Sequence, residues 1–120
     1  MLTITRTAAL AVALAGVPAI ALTPAAKEFV EIAQQLEPVH CEKRKLRRAI
    51  VLAEVEQRDT DAKEFKARFA ALDRDPRTAK LEKRLAELER QISDGREGVR
   101  DPQDLDAISR HQREAFYRCE

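Results

Sequence analysis

The chain has 120 residues, 36% of them charged and 4% aromatic, with 22 Lys and Arg against 21 Asp and Glu for a formal net charge of +1. That balance leaves no surplus of cations for the many phosphate contacts on which nucleic-acid affinity rests, so no nucleic-acid partner is expected. The length suits one domain with one modest core, and the absence of Trp beside a single Tyr removes the large amphipathic anchors that dominate most interface hot spots.

Residues 1–21 read as a secretory signal peptide. Arg6 is the only charge before Lys27, and it precedes the apolar run Ala8 to Val17, a helix break at Pro18 and the small-x-small triplet Ala19-Ile20-Ala21, the order of a leader cut after Ala21. The apolar stretch Ala8 to Leu22 covers 15 residues, short of the roughly 20 that a permanent anchor needs. The expectation is therefore export to the periplasm with no stable membrane span after processing. Residues 22–120 form the mature domain, in which 21 Lys and Arg face 21 Asp and Glu. They include 22 Leu, Ile, Val and Phe, a share barely above the roughly 20% below which highly charged chains stay disordered. A core that thin calls for a staple.

Past the leader, Gly occurs only at Gly95 and Gly98, and charge is interleaved with Leu and Ala throughout, so the mature chain reads as all helix. Thr23-Pro24 is a cap and first-turn pair, and Ala26, Phe29, Ala33 and Leu36 recur at helical spacing, which predicts a first helix over about 24–36. Pro38 removes a donor and biases Glu37 away from helical angles, so a sharp kink or a very short turn is expected there. The second helix, about 39–57, carries Leu46, Ala49, Ile50 and Ala53 on one side with Cys41, Leu52 and Val55 on the flank. An apolar surface of that width predicts contact with two neighbours.

Arg58-Asp59-Thr60-Asp61 breaks the pattern, and Asp61 with Glu64 is a candidate capping box for a third helix over about 61–73, with Ala62, Phe65, Phe69 and Leu72 as its stripe. Asp75-Pro76 and Asp101-Pro102 repeat one device, a carboxylate cap followed by Pro at the first helical position. They open a fourth helix over about 76–93, with Leu81, Leu85, Leu88 and Ile92, and a fifth over about 102–118, with Leu105, Ile108, Ala115 and Phe116. The leucine seam covers fewer than two heptads, which suits an intramolecular core better than a coiled-coil dimer. The loop from Asp94 to Arg100 holds both glycines and is expected to be the most mobile segment.

Cys41 and Cys119 have neither C-x-x-C spacing nor clustered His partners, which argues against zinc and dithiol chemistry and for a structural disulfide. An up-down-up-down arrangement of helices two to five brings the two cysteines to the same end. Closing a loop of that size stabilises a fold by about 4 to 5 kcal/mol in the chain-entropy model. The run Lys43, Arg44, Lys45, Arg47 and Arg48 places five cations in six residues, near an expected helix N-terminus where the macrodipole disfavours them. Two readings follow: neutralisation by Glu31, Glu37, Glu42 and the C-terminal Glu120, or an anion- and partner-binding patch. His40 and His111 are read as surface or boundary residues. Ser93 and Ser109 lack a base and an oxyanion loop, so nucleophilic catalysis is without its parts.

Cys41 opening a charged amphipathic helix that carries Ala53-Glu54, the Phe69-Ala70-Ala71-Leu72 stripe and the Lys80-Leu81-Glu82-Lys83-Arg84-Leu85 segment together resemble the YqjC-type group of small, uncharacterised bacterial periplasmic proteins. The likeness covers about residues 41–92, with two departures: no Gly-Asn turn follows Ala53, and the second cysteine stands at the far end of the chain. The resemblance implies an envelope protein and supplies no catalytic residue. The expected molecule is an all-α, small antiparallel helical bundle of four to five helices closed by one disulfide, a monomer or weak homodimer without cofactor or metal. Its expected function is that of an exported, non-catalytic binding or structural protein of the cell envelope, stress-related or chaperone-like, whose partner is a protein or an anionic envelope component. The alternative is a periplasmic inhibitor or immunity protein that neutralises a toxin or hydrolase.

Overall fold

A computed structural model describes residues 22–94 and 101–119, and the expected leader, the loop from 95 onward and Glu120 lie outside that range. The described residues form four helices and no strand: α1 Pro24–Val55, α2 Asp59–Arg74, α3 Pro76–Asp94 and α4 Pro102–Arg118. Three helix starts follow the sequence signals. Thr23 Oγ1 accepts from the Ala26 N–H at 3.3 Å, Asp75 Oδ1 from the Thr78 N–H at 2.9 Å and Asp101 Oδ1 from the Gln103 N–H at 2.9 Å. The capping box expected at Asp61 does not form. α2 begins two residues earlier without a side-chain cap, and the Asp61 carboxylate binds Arg58 Nη1 at 2.7 Å instead.

No turn interrupts the helix at Pro38, and the first two predicted helices are one helix of 32 residues, about 48 Å long at the usual rise. Pro38 removes the bond to the Gln34 carbonyl and would ordinarily cost about 3 kcal/mol. Gln34 and Pro38 are both exposed, so water can serve that carbonyl. Buried Leu36 and Leu46 anchor the helix on both sides of the proline, and packing outweighs the local penalty. α1 ends in a Schellman turn, with the Arg58 N–H on the Ala53 carbonyl at 2.8 Å and the Gln57 N–H on the Glu54 carbonyl at 3.1 Å. Gln57 takes the left-handed position at φ 58°, where Gly is the usual occupant.

Ion pairs fix the directions of the other helices against α1. Lys43 meets Asp73 and Glu54 meets Lys66, so α2 runs antiparallel to the C-terminal half of α1. His40 meets Glu82 and Glu28 meets Arg84, so α3 runs antiparallel to the N-terminal half. Thr23 meets Asp104, Glu37 meets Arg118 and Cys41 meets Cys119, which makes α4 parallel to α1. The alternating order expected of the last four helices is corrected accordingly. α2 and α3 run the same way because the Asp75-Pro76 break restarts a helix across one residue, too short a link to reverse the chain.

The core lies where α1 and α3 meet under α4: Phe29, Ile32, Ala33, Leu36 and Leu88 are buried, with Leu81, Leu85, Ile92 and Ile108 packed against them. Fully burying a leucine such as Leu36 or Leu88 contributes about 1.5 to 3 kcal/mol. The leucine seam of α3 is thus spent inside the molecule. Half of the stripe expected on α4 is displaced: Ile108 and Ala115 face inward, but Leu105 and Phe116 are 40% and 57% exposed while Asp104 and His111 are buried. The inward line of α4 is Asp104, Ile108, His111 and Ala115, half of it polar: Asp104 meets Thr23 while Ile108 packs on the core.

Candidate functional site

Cys41 and Cys119 are joined, with Cα atoms 5.4 Å apart across 78 residues of sequence. The bond closes the seam between α1 and α4, which is otherwise held by polar contacts at its two ends and by Ile108 against the core between them. At its start, the buried Asp104 carboxylate accepts from the Thr23 N–H at 3.1 Å and from the Thr23 hydroxyl. Beside the disulfide, Arg118 grips Glu37 with two parallel bonds of 2.7 and 3.1 Å. That fork holds the Glu37 carboxyl below its ordinary range, and Arg84 does the same to Glu28. His111 is buried on this seam, deeper than the surface or boundary position expected of it. His40 is half-buried, with Nε2 2.6 Å from Glu82 Oε1.

The basic run does not sit at a helix start. With α1 beginning at Pro24, Lys43 to Arg48 lie in mid-helix, and the macrodipole conflict expected there does not arise. Six residues wind through more than one and a half turns, so the five cations point in different directions. Lys43 is buried, with its ammonium on Asp73 and 5.5 Å from the centre of the Phe69 ring. Arg47 lies over the same ring at 5.3 Å. Arg44 stacks on Phe116 at 5.0 Å, and its buried Nη1 has no hydrogen-bond partner. Such cation–ring contacts are worth roughly 0.5 to 2 kcal/mol each. Lys45 and Arg48 are exposed, and among the described residues neither forms an ion pair.

Neutralisation follows a different route from the one expected. Glu37 is taken by Arg118, Lys43 is answered by Asp73 from α2, and Glu31 and Glu42 form no ion pair with the run. The two neighbours expected of this helix are also reduced to one beyond Arg44, since α4 stops at Arg118. Val51, Leu52 and Val55 are consequently 59%, 53% and 76% exposed. Composition alone does not reveal this surface; it depends on where α4 ends along α1.

Among the described residues no group of three or more His, Cys, Asp or Glu side chains is placed to hold a metal ion. No described helix is long and apolar enough to cross a membrane. The chain matches no family model, no curated protein and no solved structure.

Proposed function

We propose that this chain is an exported, non-catalytic binding protein of the cell envelope whose recognition surface is the outer side of α1 between Arg44 and Val55. The observation that supports it is the pairing of exposed, unmatched cations at Lys45 and Arg48 with exposed Val51, Leu52 and Val55 on one stretch of helix. Cations without a local carboxylate keep their full attraction for an external anion, and an adjoining apolar strip adds short-range affinity once contact is made. The leader-like order of residues 1–21 and the YqjC-type resemblance of residues 41–92 point to the periplasm as the compartment. Of the two partner classes, the inhibitor or immunity reading gains weight from the apolar strip, because a purely ionic surface would need none.

The test is affinity capture on the mature chain from an envelope extract, repeated with Lys45→Gln and Arg48→Gln together. Capture should weaken in the double variant and fall steadily as salt rises from about 50 mM to about 0.5 M, where screening shortens the range of charge attraction to a few Å. Capture indifferent to both changes would remove this surface from consideration.

A further inference from the structure

Along α1, residues Gln34, Glu37, Cys41, Arg44, Arg48, Val51 and Val55 recur at alternating steps of three and four, the spacing of one continuous helix-packing line. α4 occupies the first part of that line through Glu37–Arg118, Cys41–Cys119 and Arg44–Phe116. It then stops, with Cys119 as its cap residue. The line runs on for three more turns, with Leu52 beside Val51, and no described residue covers it.

We propose that this continuation of the seam is the docking site for one amphipathic helix of a protein partner. Carboxylates of that helix meet Lys45 and Arg48, and its apolar residues meet Val51, Leu52 and Val55. The proposal rests on the recognition surface inferred above and names its partner. Charge selects this occupant over two others. In a two-fold antiparallel pair of this segment, Arg48 faces Val51 of the second copy and Arg44 faces its Val55, so the cations are desolvated without a carboxylate, a costly arrangement. An anionic bilayer would suit Lys45 and Arg48, but the end of the hairpin around Val55 offers it no further cation, since Arg58 is taken by Glu56 and Asp61 and Lys66 by Glu54, with Asp59 left in addition. A helix with acidic residues at one end and apolar residues at the other avoids both difficulties. It also repeats the helix-on-helix geometry by which α4 already packs.

The test uses the oxidised mature chain and a synthetic amphipathic peptide of about 18 residues, long enough to become helical on binding. Its seam positions carry Glu in one half and Leu in the other, and a control peptide of the same composition has a permuted order. The patterned peptide should bind at least about tenfold tighter than the control and gain helical circular dichroism, and Val51→Asp with Val55→Asp should remove about tenfold or more of that affinity, as for central contacts of an interface. Both valines are exposed, so melting should hardly change. Lys45→Glu with Arg48→Glu should transfer preference to a peptide with Lys in place of Glu. Equal binding of patterned and control peptides overturns the proposal. So does self-association in sedimentation that Val51→Asp and Val55→Asp abolish, which would make a second copy the occupant. Binding of phosphatidylglycerol vesicles in place of the peptide, lost with Lys45→Gln and Arg48→Gln, overturns the helix partner and leaves the anionic recognition surface standing. Peptide binding without salt-sensitive capture from the envelope has the opposite meaning.

Discussion

Thr23 and Asp104, 81 residues apart, tie the first turn of α1 to the first turn of α4. The Asp104 carboxylate is 3% exposed and accepts both the backbone N–H and the hydroxyl of Thr23, while the same hydroxyl accepts from Ala26. One side chain thereby caps a helix and docks another. Asp104→Ala should destabilise the fold by about 1 to 3 kcal/mol, because it strands donors that the native structure keeps from water. Thr23→Val should cost less, since the backbone N–H keeps its acceptor. The double variant should cost less than the sum of the two singles in urea unfolding, and full additivity would show that the two residues do not act together.

The disulfide should matter most for α4, whose inward line is half polar, at Asp104 and His111. Cys41→Ser with Cys119→Ser removes a loop constraint worth about 4 to 5 kcal/mol in the chain-entropy model. Amide exchange should then speed up across α4 well before it does in α1 around Leu36 or in α3 around Leu88, where burial is complete. Equal acceleration in all three helices would mean that the bond stabilises the molecule as a unit.

Helix content was legible because capping residues and apolar spacing act locally: Thr23, Asp75 and Asp101 mark starts that the structure keeps. Pro38 suggested a turn that does not form, because its penalty is local while the anchors that outweigh it, Leu36 and Leu46, act through tertiary packing. The line of α4 was misread because two of its inward residues, Asp104 and His111, are polar and acquire their place only from partners on α1. Both cysteines and all five cations stood out in the sequence, but their division of labour did not. It depends on which helix lies over each residue, and that follows from the parallel course of α4 and the point at which it stops.

At the turn after α1, Gln57→Gly should stabilise the protein. The left-handed region costs a residue with a side chain about 1 to 2 kcal/mol, and glycine returns part of that gain through its freer unfolded chain, leaving about 0.5 to 1 kcal/mol. Thermal melting should rise by a few degrees. An unchanged or lower melting point would show that the Gln57 side chain contributes something the backbone geometry does not reveal.

Acid should weaken the molecule through Glu37, Glu28 and Asp75, all held below their ordinary range: the first two by Arg118 and Arg84, Asp75 mainly by the backbone N–H of Thr78. A carboxylate with a depressed folded pKa adds stability at pH values above its unfolded pKa. That contribution is lost as pH falls from the ordinary value, about 4.3 for Glu and about 3.9 for Asp, through the lower folded value. These groups are exposed enough for the effect of each to be small. Urea midpoints measured between pH 7 and pH 3 should decline over that window, and Glu37→Gln with Glu28→Gln should flatten the decline. An unaltered slope in the double variant would assign the acid response to other groups.

The basic run divides into a structural part and an outward part, and stability separates them. Lys43 is buried against Phe69 with its ammonium on Asp73, so Lys43→Ala removes packed methylenes as well as a charge, and it leaves Asp73 without its cation. A cost of about 1 to 3 kcal/mol is expected from losing a hydrogen bond to a charged group together with its packing. Asp73→Ala leaves the buried Lys43 ammonium without its carboxylate and should cost at least as much, because a buried charge deprived of its partner is poorly served by water. Lys45→Gln and Arg48→Gln touch no described partner and should stay within about 0.5 kcal/mol of the parent protein, as surface substitutions away from such features usually do. Urea unfolding of the variants decides the matter. If Lys45 and Arg48 cost as much as Lys43, the whole run is structural, and recognition must be sought on another face of the molecule.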